Sequence, residues 1–334
     1  MPLSNETLIA LAGEHGTPLW IYDAAAIRRR IEQLSAFDVV RYAQKACSNI
    51  HILGEMRKAG VRVDAVSLGE IERAKRAGYV AGNASGAADV VFTADLFDRP
   101  TLERVVSDGI EVNAGSIDML RQLGERSPGH RVWLRLNPGF GHGHSNKTNT
   151  GGENSKHGIW FEQLQDAMAL VRQYSLTLVG LHMHIGSGVD YGHLERVCGA
   201  MVALCRNLGA DLEAISAGGG LSVPYREGEE EIEPAHYFSL WDAARREIEA
   251  HVGHAVRLEI EPGRYLAADS GVLVSEVRAV KTMGRNRFVL VDAGFSELAR
   301  PAMYGSYHHI TAIPERAQTL PTIIAGPLCE SGDV

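Results

Sequence analysis

The chain has 334 residues, a size that predicts either one large barrel or two domains. With 45% hydrophobic and 22% charged residues, its composition is that of an ordinary globular protein. The formal net charge of -8 argues against nucleic-acid binding and favours a protein that acts on small molecules.

The sequence contains neither a long apolar run nor a signal-peptide pattern at its start, so we expect no membrane association. Its four cysteines are Cys47, Cys198, Cys205 and Cys329. They are scattered and form no Cys-x-x-Cys pair, which is typical of reduced thiols in the cytoplasm rather than of a disulfide framework or a zinc site.

The first segments predict a helix over 5–15, with Asn5 as its cap, then a strand over 17–22 and a helix from 24. An alternation of apolar strands and amphipathic helices follows. The predicted strands are 37–43, 62–66, 89–93, 110–114, 131–137, 177–184, 212–218 and 256–262. Eight such strands predict a (β/α)₈ TIM barrel. The alternative, a doubly wound sheet, is disfavoured because no Gly-x-Gly-x-x-Gly follows the first strand.

After Arg264 the pattern changes to strands without helices between them, at 271–281, 287–292 and 322–325. This predicts a second, all-β domain, with which the strand at 17–22 could pair. We therefore expect a barrel domain over 24–265 and a β domain formed by 1–23 and 266–334.

In such a barrel, functional side chains stand at the carboxyl ends of the strands. The first barrel strand ends at Lys45, which is either an ordinary solvated charge or an amine that forms a Schiff base with an aldehyde. The seventh strand ends in Gly218-Gly219-Gly220, which is either a tight turn or a backbone cradle for a phosphate. Ser187, at the end of the sixth strand, could donate to the same phosphate.

Two further residues have alternative interpretations. Glu261 could pair with Arg264 as a structural salt bridge, or it could hold a proton on a pyridine nitrogen. His184 could stack on an aromatic ring, or it could be a satisfied rim residue. The loop 139–158 contains His142, His144 and His157, but it has few acidic partners and many glycines, so we predict no metal and favour a gating loop.

An amine, a phosphate cradle and a carboxylate for a ring nitrogen together indicate pyridoxal 5′-phosphate. The sequence also contains the motifs YAQKA, VDAVSLGEIERA, HMHIGSG, GGGLSVPY, EPGRY, DAGFSELARPAMYGSYH and GPLCESGD, and the loop GHGHSNKTNTGGENSKHGI. Through these motifs it resembles the diaminopimelate decarboxylases, in the alanine-racemase-like group of barrel-type pyridoxal-phosphate enzymes, and the loop resembles that of their enterobacterial branch.

The resemblance implies that this chain decarboxylates meso-2,6-diaminoheptanedioate to L-lysine, the last step of lysine biosynthesis. It implies a catalytic pair, Lys45 and Cys329, in which Lys45 carries the cofactor and Cys329 donates a proton. The implied cofactor-binding residues are Lys45, His184, Ser187, Gly219, Gly220, Glu261, Gly263 and Arg264. The implied substrate-binding residues are Arg264, Arg300, Tyr304 and Glu330. A homodimer with shared active sites is implied as well.

One departure from the family is that its members continue beyond GPLCESGD, with further strands and a Gly-Ala-Tyr segment. We therefore expect the β domain to be incomplete at its C-terminal end and the 334-residue chain to have little activity. The competing functions are another basic amino-acid decarboxylase (ornithine, arginine or carboxynorspermidine), an amino-acid racemase and a non-catalytic pyridoxal-phosphate-binding protein. The arginine pair and Glu330 disfavour the first of these, because its substrates lack a second carboxylate.

Overall fold

The computed structural model describes residues 3–82, 86–141, 151–184, 186, 190–314 and 320–334. The chain divides into two compact units. The barrel unit contains 24–223 and 231–269, and the β unit contains 1–23, 224–230 and 270–334.

The strands are β1 (Leu19–Tyr22), β2 (Val39–Ala43), β3 (Arg62–Ala65), β4 (Val90–Ala94), β5 (Glu111–Ala114), β6 (Arg131–Asn137), β7 (Ile159–Trp160), β8 (Thr177–His182), β9 (Ala214–Ser216), β10 (Arg257–Ile260), β11 (Gly271–Val274), β12 (Val277–Met283), β13 (Asn286–Val291) and β14 (Ile323–Ala325). The helices are α1 (Asn5–His15), α2 (Ala24–Glu32), α3 (Ile50–Lys58), α4 (Leu68–Arg76), α5 (Arg99–Asp108), α6 (Ile117–Arg126), α7 (Leu164–Gln173), α8 (Tyr191–Arg206), α9 (Pro234–Val252), α10 (Arg264–Ala267) and α11 (Arg300–Tyr304).

Eight parallel strands close into a ring in the barrel unit. Around the ring the order is β2, β3, β4, β5, β6, β8, β9 and β10, and β10 pairs with β2 to complete it. The two-residue strand β7 pairs with the end of β6, outside the ring. The predicted TIM barrel is thus confirmed, although β7 was not predicted because two residues carry too little periodicity.

The barrel helices form where the sequence supplies both a capping side chain and an apolar stripe. In α6, for example, the side chain of Ser116 accepts a hydrogen bond from the Met119 backbone, and Leu120 and Leu123 are fully buried. Burying each such leucine contributes roughly 1.5–3 kcal/mol, so the stripe fixes the face that the helix turns to the strands.

The barrel interior contains a charged pair. Arg41 of β2 donates to Glu259 of β10 from two nitrogens, at 2.7 and 3.2 Å, and both side chains are almost fully buried. A buried charge needs such a partner, because its desolvation penalty otherwise destabilises the fold. Arg257 also donates to Glu259, at 2.8 Å.

The β unit contains two small sheets. The antiparallel pair β1 and β11 form one, and β12, β13 and β14 form the other, in that order. The predicted second domain of β-strands is present, and the predicted pairing of segment 17–22 with its strands is also observed. The predicted strand at 271–281 is instead two strands, β11 and β12, that belong to different sheets.

Within the described ranges, no helix combines the length and the apolar character needed to cross a lipid bilayer.

Candidate active site

Lys45 lies directly beyond β2, in a short 3₁₀ turn formed by Gln44–Ala46. Its side chain is exposed at the carboxyl end of the barrel. Burial raises the pKa of two carboxyl groups from the next strand and helix, Asp64 and Glu70, and the positive charge of Lys45 opposes that rise at each of them. The amine therefore stands at the end of the barrel where enzymes of this fold place their reactive groups.

Glu261 follows β10 and is held by two neighbouring strands. Its Oε2 lies 2.7 Å from Nε2 of His182, and its Oε1 accepts a hydrogen bond of 3.1 Å from the Ser216 hydroxyl. Burial alone would raise the pKa of Glu261, but the charge and hydrogen bond of His182, with Arg41, lower it to about 2. Among the described residues, Glu261 does not form the salt bridge with Arg264 that we considered. It pairs with His182 instead.

Asp64, at the end of β3, has the opposite shift. Its burial and the negative charge of Glu261 raise the pKa of Asp64 to about 7. The pKa values of these two carboxyl groups are thus shifted in opposite directions, so that Glu261 is ionised and Asp64 holds a proton more readily. Such pairs are typical of sites that handle charge and protons.

We expect the substitution Asp64→Asn to remove a pH-dependent part of the stability. A carboxyl group whose pKa is raised on folding stabilises the folded state below its unfolded pKa and loses that contribution as pH rises through the folded pKa. The wild-type protein loses this contribution between about pH 4 and pH 7, whereas the variant has no carboxyl group to ionise there. The free energy of unfolding of the variant minus that of wild type should therefore be about 3 kcal/mol larger at pH 8 than at pH 5. Urea unfolding of cofactor-free protein at both pH values measures this difference.

The exposed Asp118 provides the control for that experiment, because Asp118→Asn changes the same chemical group in solvent. Its stability offset should be equal at pH 5 and pH 8. An offset for Asp64→Asn that is equally independent of pH would contradict the assignment of a raised pKa.

His184 is oriented by the glycine turn that follows β9. Its Nδ1 accepts a hydrogen bond of 3.0 Å from the backbone nitrogen of Gly219. Desolvation and the positive charges of Arg135 and Lys45 lower the pKa of His184 well below its usual value. The imidazole is therefore neutral and fixed in orientation, as a ring that stacks on an aromatic cofactor should be.

The glycine turn leaves no room for side chains. A Cβ on Gly219 would overlap the carbonyl oxygen of Glu261, and Gly220 has a φ of 101°, which other residues rarely adopt. The turn after β10 is also close: a Cβ on Gly263 would lie 3.2 Å from the carbonyl oxygen of Ala43. Arg264 follows as the first residue of α10. Two backbone turns at neighbouring strand ends thus present a surface that a phosphate can approach.

The loop that follows β6 is tied to the barrel at both of its described ends. The Asn137 side chain accepts from the backbone nitrogens of Gly139 and Gly152, at 3.1 and 2.9 Å. Asp95, at the end of β4, contacts Nδ1 of His157 at 2.6 Å and accepts from the Gly158 backbone at 2.9 Å. His142 and His144, which we weighed as metal ligands, and Ser187, a predicted phosphate donor, lie outside the described residues.

The remaining predicted residues belong to the β unit. Arg300 and Tyr304 are the first and last residues of α11. Cys329 and Glu330 are exposed in a turn that the buried carboxylate of Asp333 holds together. This carboxylate accepts backbone hydrogen bonds from Phe295 and Leu328, at 2.7 and 2.9 Å.

The barrel residues fit a pyridoxal group. The predicted members Lys45, His184, Gly219, Gly220, Glu261, Gly263 and Arg264 all lie at the carboxyl ends of its strands. A neutral imidazole, a buried ionised carboxylate and a turn without side chains are the features that a flat aromatic ring with a phosphate requires.

Sequence reasoning assigned no role to several residues that the structure places in this site. Asp64, Asp95, Asn137, His182 and Ser216 all stand at or near strand ends. Their position at strand ends was the available signal, but their partners are distant in sequence, as with His182 and Glu261.

Comparison with known proteins agrees with this geometry. Residues 24–268 match the model of the family described as pyridoxal-dependent decarboxylase, pyridoxal binding domain. The diaminopimelate decarboxylase of Escherichia coli K12 is 64% identical over 99% of this chain and 80% of its own length. A crystal structure of diaminopimelate decarboxylase is 64% identical and superposes with a TM-score of 0.95, covering 99% of this chain and 80% of that one.

A more distant diaminopimelate decarboxylase, from M. jannaschii, was solved in complex with L-lysine. It is 27% identical, with a TM-score of 0.86, and the match covers 98% of this chain and 79% of that one. From the family match over most of the barrel unit and the 64% identity along nearly the whole sequence, the chain belongs to the diaminopimelate decarboxylase family of pyridoxal-dependent enzymes.

Proposed function

We propose that this chain decarboxylates meso-2,6-diaminoheptanedioate to L-lysine and CO₂, with pyridoxal 5′-phosphate as its cofactor, as the last step of lysine biosynthesis. The observation that carries the proposal is that the amine of Lys45 and the buried carboxylate of Glu261, which His182 and Ser216 hold by hydrogen bonds, lie at the same end of the barrel. The names of its relatives, and the L-lysine bound to one of them, support this substrate.

The barrel residues hold the cofactor in this proposal. Lys45 binds it through the amine, His184 stacks on the ring, and Glu261 keeps a proton on the ring nitrogen. The turns with Gly219, Gly220 and Gly263, together with Arg264 and Ser187, hold the phosphate. When bound, the cofactor supplies an electron sink for the electron pair that remains on carbon as CO₂ departs.

The other residues bind the substrate and return a proton. Arg264, Arg300 and Tyr304 bind the two carboxylates, for which the planar fork of arginine is well suited. Glu330 binds the distal ammonium group. The bond between the α-carbon and its carboxylate breaks, CO₂ leaves, and the Cys329 thiol gives its proton to that carbon. No metal takes part in this scheme.

The direct test follows CO₂ release from the meso diacid by purified protein with added pyridoxal phosphate. Stoichiometric L-lysine is the expected product. Release of CO₂ from ornithine or arginine instead would indicate a different decarboxylase. A protein that binds the cofactor but converts none of these substrates would indicate a non-catalytic binding protein.

We also propose that the protein acts in the cytoplasm as a homodimer, in which Cys329 and Glu330 of each subunit complete the partner's site. The Lys45→Ala and Cys329→Ala variants should then complement each other. In a co-expressed mixture half of the dimers are hybrids, and each hybrid has one intact site, so about a quarter of wild-type turnover should return.

The control for complementation is each variant measured alone at the same total concentration. If each site is contained within one subunit, the mixture should show only the mean of these two activities. A mixture no more active than that mean, in dimers shown to contain both variants, would contradict shared sites.

A further inference from the structure

Arg300 is surrounded by side chains from separate segments of the β unit. Its guanidinium carbon lies 4.6 Å from the centre of the Tyr225 ring. Its Nη1 lies 3.3 Å from Nε2 of His308. Tyr225 and His308 also contact each other edge to face, with ring centres 5.3 Å apart. The three side chains form one cluster, which we call the Arg300 cradle.

The cradle holds its arginine without neutralising it. Among the described residues, no carboxylate forms a salt bridge with Arg300. Desolvation and the positive charge of Arg300 lower the pKa of His308, so the imidazole is neutral and its Nε2 accepts the guanidinium hydrogen. A partly buried arginine that is stacked on an aromatic ring and paired with a neutral acceptor retains its affinity for an anion.

The segment that carries Tyr225 is itself fixed. The backbone nitrogen of Tyr225 donates to Glu229 at 2.7 Å. The next residue, Arg226, lies over the ring of Tyr307 at 4.4 Å, which ties the same segment to the stretch that carries His308. Tyr225 is therefore a rigid surface for the guanidinium, and rigidity reduces the ordering cost of binding.

We propose that Tyr225 and His308 are positioning residues that orient the Arg300 guanidinium toward the carboxylate that the product retains. The inference rests on the proposed function, in which Arg300 binds a substrate carboxylate. His308 takes one of the five guanidinium N–H groups, so four remain, enough for bidentate recognition. The cradle thereby favours amino acids over amines of the same length.

Comparing the binding of L-lysine with that of cadaverine distinguishes this positioning role from a general structural one, because cadaverine is the same diamine without the carboxylate. The test measures the Kd of each ligand for the cofactor-loaded protein by calorimetry. For Tyr225→Leu and His308→Leu we expect L-lysine to bind about tenfold more weakly and cadaverine to bind within about twofold of wild type. The KM for the meso diacid should rise by a similar factor, with a smaller change in kcat.

Conservative variants and a neighbouring site supply the controls. Tyr225→Phe keeps the stacked ring and His308→Gln keeps an acceptor, so both should restore L-lysine binding. Tyr307→Leu removes only the stacking partner of Arg226, so it should weaken L-lysine binding less than Tyr225→Leu does and leave cadaverine binding within about twofold of wild type. Equal weakening of L-lysine and cadaverine, or no weakening of either, overturns the inference. Absence of diacid turnover in wild type overturns the proposed function instead, while the two Kd values still decide the role of the cradle.

Discussion

Substitution of Lys45 by alanine is expected to abolish turnover of the meso diacid, with a loss of more than about 10³-fold, on the scale of losing a covalent catalytic group. Lys45 is the amine that stands beyond β2, and its charge acts on Asp64, Glu70 and His184. The variant should also lose the yellow colour of the lysine-bound cofactor, at about 420 nm. Absorbance spectra and CO₂ release after addition of pyridoxal phosphate measure the two effects.

Lys58 provides the matched control for Lys45. It lies at the end of α3, is largely exposed and pairs with Glu55 at 2.7 Å. A surface pair of this kind contributes little to stability, so Lys58→Ala should keep both colour and turnover. Retention of the colour and of substantial turnover in Lys45→Ala would show that another amine holds the cofactor.

The alternation of strands and helices was sufficient to predict the barrel, and with it the end of the barrel at which the site lies. Lys45, His184 and Glu261 were identified because each stands at the carboxyl end of a predicted apolar strand. These signals are local in the sequence, so they can be identified without knowledge of the tertiary structure. For the same reason, the helix over 5–15 and the strand over 131–137 were predicted at their observed positions, although the helix cap is Ser4 and not the predicted Asn5.

Partners from distant segments could not be predicted in the same way. The sequence offered Arg264 as the neighbour of Glu261, whereas the structure brings His182 to its carboxylate from 79 positions away. The opposite pKa shifts of Asp64 and Glu261 depend on that placement and on burial. The Arg300 cradle likewise joins residues from separate segments, and only the fold brings them together.

Replacement of Glu261 by glutamine should lower kcat about 10²- to 10³-fold while the protein stays folded and retains the cofactor. The exchange preserves shape, since an amide can accept from His182 and donate toward Ser216, but it removes the charge that keeps the ring nitrogen protonated. Burial raises the pKa of Glu261, but His182 and Arg41 lower it further than burial raises it, so the wild-type carboxylate is ionised at neutral pH. The measurement is kcat with saturating cofactor, alongside the absorbance spectrum and the thermal midpoint.

Glu259→Gln is the informative control, because Glu259 is also buried on the same strand segment but pairs with Arg41 and Arg257. Loss of its charge leaves Arg41 uncompensated in the interior, so this variant should be destabilised by about 3–5 kcal/mol while each folded molecule keeps its turnover. The two substitutions should therefore have opposite effects. Glu261→Gln should lower activity and leave stability unchanged, whereas Glu259→Gln should lower stability and leave the activity of the folded protein unchanged. If Glu261→Gln instead behaved like Glu259→Gln, the carboxylate at residue 261 would be a structural ion pair and not the partner of the cofactor ring.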